Sequence, residues 1–257
     1  MYRLYRPFTF AFLFLALAAE MPLPAQDFYV PDTVSEEAKA IIRSFSRATR
    51  DAFVTPAPDD IESWKKFQTA FDQKYLARND SIVKEYAPTL IPKKLGRVPV
   101  VDIQPKGWKD NRKVLIYTHG GAYAYLHVNT SYCWSVPIAH DTGLRVVSVD
   151  YTLAPHAKYE QITDEVVSVV QALLKDGYKP MDIGIMGDSA GGSLAAAVAL
   201  KVRDKGIGLL GVAVLRSPWS DIAELGDTYF TLKDQEPFYL YSKAPDSAAK
   251  AYADPKD

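Results

Sequence analysis

Hydrophobic positions along the middle and end of the chain alternate between short apolar runs and longer stretches with helical spacing. Five apolar runs predict buried strands, at residues 97–103, 114–119, 144–149, 181–186 and 211–215. The stretches with helical character between them begin near residue 132 and cover residues 160–174 and 193–202. Strands that alternate with helices predict an α/β fold with a mainly parallel sheet covered on both faces.

Residues 27–90 predict a helical region ahead of this sheet. A first helix begins at the capping-box pattern of Thr33 to Glu36 and ends near Arg50. Prolines interrupt the pattern, and Asp60 then opens a second helix. The apolar residues at helical spacing are Ala38, Ile41, Ile42, Phe45 and Ala48 in the first helix and Ile61, Trp64, Phe67, Phe71 and Tyr75 in the second.

The first 25 residues have the pattern of a secretory signal peptide. Arg3 and Arg6 precede an apolar run over residues 8–19, and small residues suited to cleavage follow near Ala18 or Ala25. The run is shorter than the roughly 20 residues that span a bilayer, so no stable membrane insertion is expected and a retained anchor is the alternative. This pattern predicts a secreted or periplasmic protein.

Composition adds limits on partners and cofactors. The chain has 257 residues, 48% of them hydrophobic, which is enough for one large α/β domain. Its formal net charge of −1 gives no basic surface for nucleic acid, which we exclude as a partner. Cys133 is the single cysteine, so the chain can form no internal disulfide and no C-x-x-C metal cluster; we interpret Cys133 as a buried free thiol.

The stretch from Ile183 to Gly192 carries the clearest chemistry. It predicts an apolar strand, a sharp turn and a helix, with Gly187-x-Ser189-x-Gly191 at the turn. Glycines let the backbone fold closely there, so the Ser189 hydroxyl stands clear of its neighbours. Ser189 is therefore the candidate nucleophile, and the plain alternative is a turn serine in a glycine-rich loop. A second apolar strand ends at His119-Gly120-Gly121, a loop whose N–H groups can bind an oxyanion.

Four short motifs together resemble the hormone-sensitive-lipase-like esterases of the α/β-hydrolase fold. They are His119-Gly-Gly-Ala-Tyr123, Asp150-Tyr-Thr-Leu-Ala-Pro155, Gly187-Asp-Ser-Ala-Gly-Gly192 and Ser217-Pro-Trp-Ser-Asp221, and the resemblance covers roughly residues 94–225. It implies an α/β-hydrolase core over residues 91–257, an N-terminal helical cap and a second cap-like segment at about 222–250.

The resemblance also implies an activity, the hydrolysis of short-chain carboxylic esters through a serine acyl-enzyme without a cofactor or metal. A small ester is then the expected partner, although the residues do not separate esters from lactones or amides. The implied oxyanion donors are the N–H groups of Gly120, Gly121 and Ala190. Ala122 stands where the family usually has a third glycine, and an alanine still donates its N–H.

The residues after Ser189 do not complete a catalytic triad, because none of those 68 residues is a histidine. The family places its acid and histidine beyond two further strands, so we expect the last strands to be missing and the chain as written to have little or no esterase activity. His119 is expected to shape the oxyanion loop and His156 to lie in a structural loop. His127 and His140 are interpreted as surface or packing residues. Asp188 is expected to project away from Ser189, and Asp221 to be structural.

Three alternatives remain beside this reading. The first is a catalytically silent, shortened homologue that binds small esters or acts as an interaction protein. The second is a penicillin-recognising serine enzyme, whose S-x-x-K pattern occurs at Ser63, Ser81 and Ser247 without its companion motifs. The third is a nucleotide-binding domain, which the glycine-rich turn favours only weakly because G-x-G-x-x-G is absent.

Overall fold

The central feature of the computed structural model, which describes residues 27–255, is a six-stranded mixed sheet. Its strands are β1 (Thr89–Leu95), β2 (Val98–Gln104), β3 (Val114–Thr118), β4 (Arg145–Val149), β5 (Ile183–Asp188) and β6 (Val212–Arg216). The spatial order is β1-β2-β4-β3-β5-β6, in which β4, β3, β5 and β6 run parallel and the β1–β2 hairpin is joined antiparallel to β4. The predicted α/β class with a mainly parallel sheet is confirmed. The predicted signal peptide lies outside the described residues.

All five predicted strands are present, with ends that differ from the prediction by at most two residues. The largest differences, of two residues, are at the two ends of β5: Met181 and Asp182 belong to a short 3-10 turn instead of the strand, and the strand continues to Asp188. Strand β1 was not predicted from the sequence. This strand pairs only with β2 and is mostly exposed or half-buried, so its lysines and Pro92 give it no buried apolar run to recognise.

Eight α-helices accompany the sheet in the described part of the chain. They are α1 (Glu36–Ser44), α2 (Arg47–Ala52), α3 (Ile61–Tyr86), α4 (Tyr132–Thr142), α5 (Tyr159–Lys175), α6 (Ala190–Asp204), α7 (Thr228–Thr231) and α8 (Pro245–Tyr252). None of the helices in residues 27–255 has the length and hydropathy needed to cross a bilayer.

The N-terminal helices correct one prediction. Instead of a single helix from the Thr33 capping box to Arg50, the chain forms α1 and α2 with a break at Phe45. The cap of α1 is Ser35, whose hydroxyl accepts the Ala38 N–H at 3.3 Å, and Ser46 caps α2 by accepting the Thr49 N–H at 3.1 Å. A serine hydroxyl that binds nearby backbone N–H groups competes with helix continuation, which explains the break.

The other predicted helices are confirmed. Helix α3 starts after its cap Asp60 and continues to Tyr86, and α4 and α5 lie where the pattern placed them. Helix α6 begins at Ala190, three residues before its predicted start, because it follows the serine turn directly. Cys133, in α4, is a buried free thiol as predicted.

The three strands in the middle of the sheet are packed on both faces. Helices α5 and α6 cover one face through Val166, Val170, Leu194 and other fully buried residues. Helix α4 and the end of α3 cover the opposite face, where Val136 and Ala139 contact the strands. Each of the buried valines and leucines contributes about 1.5–3 kcal/mol. The strand ends are therefore held rigidly, and the loops that follow β3 and β5 start from fixed positions.

Candidate active site

Ser189 lies in the turn between β5 and α6, beside the end of β3. Strands β3 and β5 are neighbours in register, with Thr118 paired to Gly187, so the loops that leave them emerge side by side. Ser189 has φ 54° and ψ −126°, a conformation that costs a non-glycine residue on the order of 1–3 kcal/mol. Its N–H donates to the carbonyl of Arg216 and its own carbonyl accepts the Trp219 N–H, both at 3.0 Å. These two hydrogen bonds hold the strained turn.

Gly191 allows the helix to begin directly against the sheet. A Cβ atom at this position would overlap the backbone carbonyl oxygens of both Thr118 and His119. Any side chain there would push α6 away from the end of β3, because the obstacle is backbone that cannot rotate aside. This is the close backbone approach that the glycine spacing predicts.

The loop after β3 brings the predicted oxyanion donors to Ser189. A Cβ atom on Gly120 would lie 3.3 Å from Cβ of Ser189 and 3.0 Å from the carbonyl oxygen of Asp188, so the two loops are in contact. Ala190 is the first residue of α6, and its N–H consequently has no acceptor within the helix. The structure thus gathers Ser189, Ala190 and Gly120, with Gly121 next in the chain, and their catalytic roles stay a prediction.

This loop, which we call the oxyanion loop (residues 119–126), has an unusual backbone. Positive φ angles occur at Gly121 (103°), Ala122 (49°), Tyr123 (62°) and Leu126 (66°). Three of these residues carry side chains, so the loop is strained and needs outside contacts to keep its shape. The Gly121 carbonyl accepts the N–H groups of Ala124 and Tyr125, both at 2.9 Å, and the Tyr123 carbonyl accepts the Ala154 N–H at 2.9 Å.

His119 is completely buried behind the oxyanion loop. Its Nδ1 donates to the Gly120 carbonyl at 2.7 Å, and its ring stacks on Tyr151 with centroids 4.3 Å apart. Burial lowers the pKa of His119, which favours the neutral ring, and Nε2 has no partner among the described residues. A ring enclosed in this way fits the predicted role of shaping the loop.

The other histidines also make contacts away from Ser189. His127 binds Asp72 through Nδ1 at 2.7 Å, His140 packs edge-on against Tyr86, and His156 is exposed. In residues 27–255 no hydrogen bond joins a histidine to the Ser189 hydroxyl. His127 was interpreted from the sequence as a surface or packing residue, and its carboxylate partner was not predicted because Asp72 lies 55 residues earlier.

The two aspartates considered near the nucleophile are both engaged elsewhere. Asp188 accepts a short hydrogen bond from the Tyr117 hydroxyl and lies 3.6 Å from Nη2 of Arg216. Asp221 accepts backbone N–H groups of Ala223, Leu225 and Gly226 at 2.8–2.9 Å. Burial alone would raise the pKa of Asp221, but these hydrogen bonds keep that pKa below its ordinary value. Asp221 stabilises a turn here, which agrees with the structural role that the resemblance implied.

Ser189 opens onto a cavity of about 400 Å³. Its walls are mostly aromatic and apolar, and the residues that line it include Ala122, Tyr125, Trp219, Tyr229, Leu232, Tyr239 and Tyr241. Most of this wall comes from residues 228–245, the segment that includes α7. The cap-like segment at about 222–250 was expected from the resemblance, but its individual wall residues were not, because an irregular chain has no periodicity that shows which side chains face a cavity.

A distant part of the chain is hydrogen-bonded to this wall segment (residues 228–245). Thr55 donates its hydroxyl to the Ala244 carbonyl at 2.8 Å and its N–H to the Lys243 carbonyl at 3.2 Å, while Arg50 reaches the Glu236 carbonyl at 3.2 Å. The residues that follow α1 therefore support the wall segment directly. No group of three or more His, Cys, Asp or Glu side chains within residues 27–255 could hold a metal ion.

The chain matches a known protein family. The family model described as alpha/beta hydrolase fold matches residues 115–257, more than half of the chain. The chain belongs to the alpha/beta hydrolase fold family. The match includes the oxyanion loop, the Ser189 turn and the wall segment. The resemblance inferred from the motifs is confirmed, and this α/β hydrolase is a hormone-sensitive-lipase-like member.

Individual relatives and structures agree with the assignment. An acetyl-hydrolase of Streptomyces hygroscopicus is 31% identical over 128 residues, 50% of this chain and 43% of that protein. The crystal structure of an esterase, E25, has a TM-score of 0.77 at 22% identity and covers 88% of this chain and 70% of that one. At that identity the likeness shows the fold alone. The structure of an esterase from the bacterial hormone-sensitive lipase family has a TM-score of 0.60 at 27% identity, covering 70% of this chain and 68% of that one.

The chain spans about half the length of the curated relatives it matches. The activity of these relatives is therefore proposed for this α/β hydrolase below, from the chemistry of its own residues.

The crowding at Gly121 gives a test of the oxyanion loop. A Cβ atom there would overlap the Tyr125 carbonyl oxygen, whereas Gly107, also at positive φ (75°), has nothing within 4 Å. Both alanine variants carry backbone strain, but only Gly121→Ala adds overlap with fixed backbone. We expect Gly121→Ala to lower the free energy of unfolding by about 1–3 kcal/mol more than Gly107→Ala, measured by urea denaturation. Equal losses would show that the loop relaxes easily.

The contact between His127 and Asp72 gives a second test. The hydrogen bond to the Asp72 carboxylate raises the pKa of His127 although burial opposes it. Because the folded pKa exceeds the unfolded value of about 6.5, the contact stabilises the fold below that pH and is lost as pH rises through the folded pKa. NMR titration should show a lower His127 pKa in Asp72→Asn than in wild type. Asp80→Asn, at an exposed position on the same helix, should leave the His127 pKa unaltered. An unaltered His127 pKa in both variants would contradict the pairing.

Proposed function

We propose that this α/β hydrolase carries the nucleophile and oxyanion site of a carboxylic ester hydrolase. Ser189 Oγ attacks the ester carbonyl as a base takes its proton, and the N–H groups of Gly120, Gly121 and Ala190 hold the oxyanion. Collapse of the tetrahedral intermediate releases the alcohol and leaves an acyl group on Ser189, which water then hydrolyses. Losing one oxyanion donor in such enzymes costs about 3–4 kcal/mol of transition-state stabilisation.

The observation that carries this proposal is the position of Ser189. It is held in a strained turn at the start of a helix, against the glycine-rich oxyanion loop, and it faces a cavity that could contain a substrate. A serine in an ordinary loop requires none of these features. The esterase and acetyl-hydrolase relatives support the same chemistry.

Short acyl esters are the proposed substrate class. A cavity of about 400 Å³ is at the small end of ligand sites, and its aromatic walls favour an uncharged, compact ester over a long flexible chain. The name of the Streptomyces relative, an acetyl-hydrolase, supports a short acyl group.

A specific observation keeps the silent homologue as the second candidate. Within the described residues, no histidine is hydrogen-bonded to Ser189, and a serine without a base is a poor nucleophile at neutral pH. On this reading the same cavity binds a small ester without turning it over.

Kinetics of the 257-residue chain test both candidates. We expect it to hydrolyse p-nitrophenyl butyrate several powers of ten more slowly than a serine esterase with a full catalytic triad, because loss of the base has that effect in related enzymes. Added imidazole should raise the rate by supplying a base. Measured above the rate of imidazole alone, Ser189→Ala should remove the imidazole-dependent turnover, while Ser81→Ala, at an exposed S-x-x-K serine on α3, should leave it intact.

Each other outcome has a definite meaning. Turnover at ordinary esterase rates that depends on Ser189 would show that the chain supplies its own base and that the predicted inactivity is wrong. Turnover unchanged by Ser189→Ala would reject Ser189 as the nucleophile. If a small ester binds but no Ser189-dependent turnover follows even with imidazole, the silent homologue is the better account.

A further inference from the structure

Helix α3 presents three polar side chains to the region that follows the oxyanion hole. They are Gln68, Asp72 and Asn79, which lie at intervals of four and seven residues and therefore share one face of the helix. Gln68 and Asn79 are 6% and 2% exposed, which is unusual for amides unless they have partners. Their contacts explain the burial.

All three residues bind chain that immediately follows the glycines of the oxyanion loop. The Gln68 side-chain N–H donates to the Ala124 carbonyl at 2.8 Å and also lies 3.4 Å from the Ala154 carbonyl. Asp72 accepts from His127 and from the Thr130 hydroxyl. Asn79 accepts the Cys133 N–H at 2.7 Å. The helix thus holds three successive points along residues 124–133.

Gln68 has the most direct connection to the site. Ala124, whose carbonyl it binds, donates its own N–H to the Gly121 carbonyl at 2.9 Å. Ala154, its second acceptor, donates its N–H to the Tyr123 carbonyl at 2.9 Å. One buried amide therefore contacts both Ala124 and Ala154. Each of these two residues also donates one hydrogen bond to the strained part of the oxyanion loop, Ala124 to Gly121 and Ala154 to Tyr123. Gly121 and Tyr123 both have positive φ, so the loop depends on such contacts to keep its shape.

We infer that Gln68 is a positioning residue that fixes the direction of the Gly120 and Gly121 N–H groups by anchoring the oxyanion loop to α3. It acts through Ala124 and Ala154 and does not touch the substrate cavity. This inference rests on the proposed function for its catalytic consequence, but the anchoring itself can be measured without turnover. Without the Gln68 donor, the fully buried carbonyls of Ala124 and Ala154 would each lose a hydrogen bond, and the strained loop would be free to relax.

The test compares two glutamines on the same helix. Gln68→Met keeps the approximate volume and removes the donor, and Gln73→Met makes the same change at an exposed position. Amide hydrogen exchange of peptides that cover residues 119–127 is measured by mass spectrometry, with the β1–β2 hairpin as an internal reference. We expect exchange in the oxyanion loop to rise at least about tenfold in Gln68→Met only, with the hairpin unchanged.

Kinetics then separate positioning from binding. With imidazole present, Gln68→Met should lower kcat for p-nitrophenyl butyrate at least about tenfold and change KM less than about twofold, because a misdirected oxyanion hole weakens the transition state more than the ground state. If wild type itself shows no Ser189-dependent turnover, the proposed function fails for this chain, and hydrogen exchange alone decides the anchoring.

Two results would overturn the inference. One is unchanged exchange in residues 119–127 of a folded Gln68→Met protein. The other is faster exchange of equal size in the loop and the β1–β2 hairpin, which would mean a general loss of stability. If Gln68→Met does not fold, Gln68→Asn provides the test, because its amide is one methylene too short to reach both carbonyls. It should loosen the same loop peptides, and unchanged exchange in this variant would equally reject the inference.

Discussion

The close contact between the start of α6 and the end of β3 is the constraint on which the candidate site depends. Because Gly191 has no side chain, the helix begins against the carbonyl groups of Thr118 and His119. This contact brings the Ser189 turn and the oxyanion loop together, since one follows β5 and the other follows the neighbouring strand β3. The buried sheet supplies the rigidity, so two strained segments meet with little freedom to separate.

Strain at this contact is balanced by hydrogen bonds from several directions. Ser189 is held by Arg216, the last residue of β6, and by Trp219 just beyond it, and Tyr123 of the oxyanion loop is held by Ala154. The ring of Tyr123 also stacks on Tyr252 of α8 at 3.7 Å, which connects the loop to the C-terminal helix of the described chain. The helical N-terminal region thus does more than contact the wall segment, because through α3 it also reaches the backbone of the site.

The sequence predicts the parts of this arrangement that have a local signal. Apolar runs locate the central strands, and the glycines around Ser189 locate the turn, since only a tight approach requires them there. The break after α1 and the β1 edge strand were missed because serine caps and a half-exposed strand carry weak patterns. The polar face of α3 was missed for another reason. Gln68 and Asn79 resemble surface residues, and their backbone partners lie more than 50 residues away in the chain.

The most direct test of the account is a crystal structure of the 257-residue chain after prolonged reaction with a p-nitrophenyl alkylphosphonate. The account predicts a bond from Ser189 Oγ to phosphorus, with p-nitrophenol released. The phosphonyl oxygen should lie within about 3 Å of the backbone nitrogens of Gly120, Gly121 and Ala190. An adduct on another residue, or a phosphonyl oxygen directed away from these nitrogens, would contradict the assignment of both nucleophile and oxyanion hole.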